Sequence, residues 1–205
     1  KPESQLALWI CLGTLCRIGE LLQAEWKNVD LKNGVWFIPV ANVKGSRRKK
    51  QDHHVFLSVF TTHYFSKLRQ LTGHSQWCFP AKHHDGHVDL KVVSKQVGDR
   101  QSRFKNRKPL ARRRHDDTLL LSGGLNGEWT PHDLRRTGAT MMQALGVSLD
   151  VIDRCQNHVL AGSRVRRHYL HHDYAAEKKE AWNLLSNKLI DILIGQNGLE
   201  KLKKQ

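Results

Sequence analysis

Long apolar stretches are missing from this 205-residue chain. The longest nearly apolar run, Leu6 to Cys16, falls short of the roughly 20 residues needed to cross a bilayer. The opening Lys-Pro-Glu-Ser has no secretory pattern, and together these predict a soluble protein with no membrane role. Cysteine is scarce: Cys11, Cys16, Cys78 and Cys155 form no C-x-x-C pair and lie in or beside apolar stretches. That argues against a disulfide scaffold or structural zinc and predicts reduced core thiols in a cytosolic chain. Acidic residues are also few, 19 against 34 Lys plus Arg, leaving a formal charge of +15. Such an excess implies a polyanionic partner, nucleic acid before an anionic membrane surface. Apolar residues still make up 39% of the chain, enough for one sizeable domain with a real core.

Apolar residues recur at helical spacing from Ser4 to about Asn28, with Pro2 at the start, and predict one long first helix. GVWFIP (34–39) and HHVFL (53–57) are short β-rich runs joined by the cationic VANVKGSRRKKQD, which predicts a hairpin with a long basic tip. Further helices are expected from Val59 to Leu71, from Leu90 to Phe104, and from Pro131 to about Leu145, where Thr130 is a natural N-cap. Ser148 to Cys155, Arg164 to about His171, and Ala175 to about Ile194 complete the set. Residues 73–90 read as loop, and no internal repeat is present. The predicted class is mainly α with a small antiparallel β-hairpin or sheet, α+β.

Several residues stand out chemically. Arg17 follows Ile10 by seven residues, which at about 100° per residue puts a charge on the apolar stripe of the first helix. It needs an acidic neighbour or an anionic ligand, and Glu20 at i+3 is available. In Thr130-Pro-His-Asp-Leu-Arg-Arg-Thr137, His132 and Arg135 share a helical face, roughly 130° from Leu134, where the stripe continued by Met141 and Leu145 begins. Both are therefore expected to point away from the core, near a helix N-terminus suited to a phosphate. Tyr169 and Tyr174 lie in a His-rich stretch, and either reads on its own as a packed core tyrosine. His158, after Asn157 at a helix end, reads equally as a cap or a surface residue. The pairs His53-His54, His83-His84 with His87, and His171-His172 have no Cys or carboxylate completing a ligand spacing, so no metal is expected.

Taken together, Thr14-Leu-Cys-Arg-Ile-Gly-Glu-Leu-Leu22, then Trp26, a lysine-bearing hairpin, His132-Asp-Leu-Arg-Arg-Thr137, His158 and Tyr169 resemble the tyrosine recombinase (phage-type integrase) family. The resemblance runs from the first helix to the last. It implies a catalytic-domain fold in which Arg17, His132, Arg135 and His158 surround the phosphate, Tyr169 is the nucleophile and Glu20 braces Arg17. A hairpin lysine would be the general acid; Lys44 fits best in its Val-Lys-Gly context, with Lys49 and Lys50 as alternatives. His158 and Tyr169 are eleven residues apart, slightly more than relatives have, so Tyr174 remains a competitor.

The resemblance further implies a site-specific recombinase that integrates or excises a mobile element of a phage or genomic island through a covalent 3′-phosphotyrosyl intermediate. Neither a cofactor nor a metal would be required. Its partner would be double-stranded DNA at attachment sites, bound by a homotetramer of chains that are monomers in isolation. Accessory DNA-bending or directionality proteins could assist. The expected location is the bacterial cytoplasm, on the nucleoid when DNA-bound. Residues 1–205 would be the catalytic domain, without the core-binding and arm-binding domains that precede it in relatives, and residues 180–205 a segment that docks on a neighbouring protomer. Arg47, Arg48, Lys91, Lys95, Arg100, Arg103, Lys105, Arg107, Arg112, Arg113 and Arg136 are the expected DNA contacts. Type IB topoisomerase-like strand relaxation and a non-catalytic DNA-binding relative are the alternatives.

Overall fold

The computed structural model describes residues 1–43, 51–101, 127–158 and 173–194. Helix α1 (Pro2–Thr14) begins with proline in its first turn, where the missing N–H costs nothing. It does not run on to Asn28 as its periodicity predicts. Leu15 adopts a left-handed conformation (φ 59°), the chain breaks, and a short α2 (Ile18–Leu22) starts afresh with Arg17 as its N-cap. A 3-10 turn, Trp26–Asn28, follows. Tertiary partners hold this break open: Trp182 Nε1 donates to the Thr14 carbonyl at 3.1 Å and Arg135 Nη1 donates to the Leu15 carbonyl. The carbonyls that a helix end leaves without intrahelical partners are thereby satisfied.

The hairpin is part of a three-stranded antiparallel sheet in the order β1 (Val29–Asp30), β2 (Val35–Ile38), β3 (His53–Phe56). Val35 pairs with Phe56 and Ile38 with His53, so the loop carrying residues 39–52 leaves from the His53 end. Then come α3 (Val59–Thr72), α4 (Val92–Gly98), α5 (Pro131–Ala144), α6 (Leu149–Cys155) and α7 (Ala175–Ile194). The run expected as a helix to Phe104 is thus helical only over α4, with residues 102–126 outside the described part, as is the helix expected at 164–171.

Helix α1 is the centre of the packing, touching α3, α5 and α7. Ala7, Ile10 and Cys11 are fully buried, with Trp36, Phe60, Phe65 and Trp182 around them. Burying each such large apolar side chain contributes about 1.5–3 kcal/mol. Two glycines set the helix separations. A Cβ on Gly13 would lie 2.6 Å from Thr61 Cγ2, and one on Gly138 would lie 2.9 Å from the Leu12 carbonyl oxygen. Helix α7 packs on its own chain: Ala181, Trp182, Leu185, Leu189 and Ile190 are buried. Leu185 and Leu189, within the 180–205 segment expected to dock on a neighbouring protomer, are thus covered by their own chain. Ile192 and Leu193 are exposed large apolar residues near the end of this helix, and 195–205 lie outside the described part.

Candidate active site

The break after α1 is what makes Arg17 special. Its backbone N–H donates to Glu20 Oε2 at 3.0 Å while its Nη1 donates to Glu20 Oε1 at 2.8 Å. One buried carboxylate thus caps α2 and orients the guanidinium. The ion pair expected from spacing is present, although Arg17 stands at a helix start and not on a continuous stripe.

Arg135 corrects its expectation. It is 2% exposed and points inward with Pro131, Gly138 and Met142, whereas Leu134, Met141 and Leu145 are only half-buried. The wheel drawn from apolar residues selects the wrong stripe, because the cation is welcomed inside by carbonyls and the glycine by a close helix approach. Arg135 donates through Nη1 to Leu15 and through Nη2 to Gln156, the carbonyls at the C-termini of α1 and α6. Two helix ends present their negative poles to one guanidinium. The Gln156 side chain returns a bond to the Arg135 carbonyl at 3.3 Å.

Burial first, then the Arg17 guanidinium, push the Arg135 pKa down to about 10, with Glu20 opposing. His132 is exposed as expected, one turn before Arg135. Its pKa lies below the ordinary 6.5, mainly through burial of part of the ring, then through Arg135, with Arg136 and Arg17 adding. Arg17, His132 and Arg135 thus sit within one another's fields. Thr130 N and Oγ1 each donate to Asp133 Oδ2 at 2.9 Å, fixing the start of α5 that presents His132.

His158 closes α6. Asn157 takes φ 50°, its N–H donating to Arg154 O and the His158 N–H donating to Asp153 O, a Schellman end. Its Nδ1 lies 2.9 Å from Asp153 Oδ1. Tyr174 (φ 55°) has its ring covered by the Arg154 guanidinium, 3.8 Å from the centroid. Tyr169, Lys44, Lys49, Lys50, Arg47 and Arg48 lie outside the described residues, as do Arg103, Lys105, Arg107, Arg112 and Arg113. Of the expected DNA contacts that are described, Lys91, Lys95 and Arg136 are exposed and Arg100 is half-buried, donating to the Gln96 carbonyl. Gln101 Nε2 donates to Trp129 O at 2.7 Å, drawing the end of the α4 region to the start of α5.

The phage integrase family model matches residues 1–176. The chain belongs to that family. This chain is 28% identical over 174 residues to prophage integrase IntA of Escherichia coli (strain K12) and spans about a third of it, 85% of this chain against 35% of that one. Among solved structures, an integrase from mycobacterium phage Brujita superposes with a TM-score of 0.59 at 13% identity, covering 90% of this chain and 52% of that one. The Tn1549 transposon integrase in complex with circular intermediate DNA gives 0.54 at 15% identity (82% and 54%), and XerA recombinase 0.51 at 16% (88% and 61%). These likenesses establish the tyrosine recombinase catalytic-domain fold, helix-rich with its small antiparallel sheet.

Sequence reasoning missed His53. It is buried on β3, and its Nε2 lies 3.1 Å from the Cys155 carbonyl at the end of α6. The strand alternation that buries Val55 also buries His53, so the parity of the run was the available signal.

Proposed function

We propose that this chain is the catalytic domain of a site-specific DNA recombinase that cuts and rejoins DNA through a 3′-phosphotyrosyl bond, integrating or excising a mobile element. The observation that carries the reading is a site with an excess of positive charge: Arg17, Arg135 and His132 lie within one another's fields, and Glu20, already paired with Arg17, is the carboxylate that opposes them at Arg135. A site so built calls for an anion such as the scissile phosphate.

In this mechanism Arg17 and Arg135 hold the non-bridging oxygens, gripping harder as charge builds in the transition state. His132, kept neutral at pH 7 by its lowered pKa, takes the proton from Tyr169. The phenolate oxygen attacks phosphorus, the bond to the 5′ oxygen breaks, and Lys44 protonates that leaving oxygen. His158 has Nδ1 engaged by Asp153, so Nε2 is its atom for the phosphate. The 5′-hydroxyl of another strand then attacks the phosphotyrosine, returning the tyrosine. Bond energy is conserved in the ester, so the scheme needs no nucleotide cofactor. Four protomers on two duplexes would exchange strands in two rounds. Lys91, Lys95, Arg100 and Arg136, with the basic residues of 102–126, would hold the DNA backbone.

The test is a nicked suicide substrate, drawn from a pool of attachment-site sequences and incubated with the chain in EDTA. The expected outcome is a denaturation-resistant protein–DNA adduct that disappears in Tyr169→Phe and persists in Tyr174→Phe. Loss in Tyr174→Phe alone would move the nucleophile. DNA binding with no adduct would indicate a non-catalytic relative, and relaxation of supercoils without strand exchange a topoisomerase.

A further inference from the structure

His53 begins β3, opposite Ile38, at the last rung before the loop that carries Lys44. Its ring lies against Trp182 of α7, centroids 6.4 Å apart, and its Nε2 meets the Cys155 carbonyl at 3.1 Å. Cys155 ends α6, and the next carbonyl, that of Gln156, accepts from Arg135. Two adjoining carbonyls of one helix end are therefore held, one by the imidazole of β3 and one by the guanidinium of α5.

We propose that His53 is a positioning residue of the recombinase site: by donating from Nε2 to Cys155 O it fixes the end of α6, and with it the Gln156 carbonyl that orients Arg135 and the turn that carries His158. This rests on the reading of Arg135 as a phosphate clamp. A carbonyl can only accept, so Nε2 carries the proton and Nδ1 is the bare nitrogen of a neutral ring. The charged and titratable groups whose fields reach the ring are Lys178 on α7, Arg135 on α5 and His54, the exposed next residue of its own strand. Burial, then Lys178, push its pKa down to about 3, which keeps the ring neutral across the working range, and the bond to Cys155 O selects the tautomer. The contact also ties the first residue of β3 to the helix end that holds Arg135.

The experiment compares wild type, His53→Gln, whose amide keeps a donor near the Nε2 position, and His53→Phe, which keeps bulk without the donor. Adduct formation on the suicide substrate is measured at saturating chain, beside DNA affinity, thermal midpoint and the NMR signals of the Arg135 guanidinium protons. His53→Phe is expected to slow adduct formation by about ten- to a hundredfold with DNA affinity unchanged. It is also expected to speed solvent exchange of the Arg135 protons, while His53→Gln restores both. A wild-type rate or unchanged Arg135 exchange in His53→Phe overturns the proposal. Arg135→Ala is the control for the underlying reading: if it still forms adduct, the clamp reading falls and this inference with it. If Arg135→Ala is inactive and His53→Phe is not slowed, only this inference falls. Should His53→Phe fail to fold, the ring nitrogens of the wild-type protein decide: an Nε2–H tautomer from pH 5 to 8 supports the proposal, and an Nδ1–H tautomer overturns it.

Discussion

Arg135 and Gln156 hold each other twice: the guanidinium donates to the Gln156 carbonyl, and the Gln156 side-chain amide donates back to the Arg135 carbonyl at 3.3 Å. The pair locks α5 to the end of α6, and the Leu15 carbonyl adds the end of α1. Geometry at this arginine is therefore a property of three helices.

Replacing Arg135 tests that arrangement. Arg135→Ala leaves two buried carbonyls without their partner and opens a cavity, and should cost about 2–5 kcal/mol in urea unfolding. Arg135→Met fills the space without the donors and should cost less, about 1–3 kcal/mol, while losing adduct formation as completely.

Glu20→Ala removes both the cap of α2 and the brace of Arg17. We expect a loss of about 2–4 kcal/mol, since the carboxylate is 3% exposed, and a fall in adduct formation exceeding that in DNA affinity. Glu20→Gln keeps an acceptor and should fall between the two, as paired denaturation and suicide-substrate assays would record.

Gly138→Ala sets propensity against packing. In an exposed helix the change would stabilise by about 1 kcal/mol, but here the Cβ would meet the Leu12 carbonyl at 2.9 Å and Leu15 Cδ1 at 3.0 Å. Backbone cannot step aside as a flexible side chain does, so thermal denaturation should show net destabilisation, about 1–3 kcal/mol.

The His53 pKa makes stability depend on pH. Its folded value, about 3, lies below the ordinary 6.5, so the unfolded chain binds this proton first as pH falls. Stability from this group is unaffected above about pH 6.5 and declines between 6.5 and 3, with a limiting slope of about 1.4 kcal/mol per pH unit. In urea titrations across that range, His53→Phe should be shallower than wild type by that component, whatever its absolute stability.

Local chemistry made some of this legible in advance. Thr130-Pro131 marks the start of α5 and Asp133 completes its cap, so that boundary could be read without a structure. The span Ala175–Ile194 was likewise plain. What escaped was set by distant partners. The left-handed residue at the break is Leu15 and not one of the flanking glycines, Gly13 and Gly19, and apolar periodicity passes straight through; Trp182 and Arg135 supply the donors from elsewhere. The residues around Arg135 in the chain single it out in the sequence but hide its burial, since hydropathy cannot show that two helix ends await a cation. The short β1 gave no signal of its own, having only two residues.

All four cysteines are buried, and burial pushes the Cys78 and Cys155 thiols above the ordinary range, Cys155 to about 12. Cys11, 3.8 Å from Cys16 Sγ, is raised as well. The native protein should thus be nearly silent toward maleimides. A single cysteine placed on an exposed position away from the proposed DNA contacts, such as Lys67 or Gln70, would then accept a dye or crosslinker alone, and the number of chains gathered on one DNA could be counted without first stripping the natural thiols from the core.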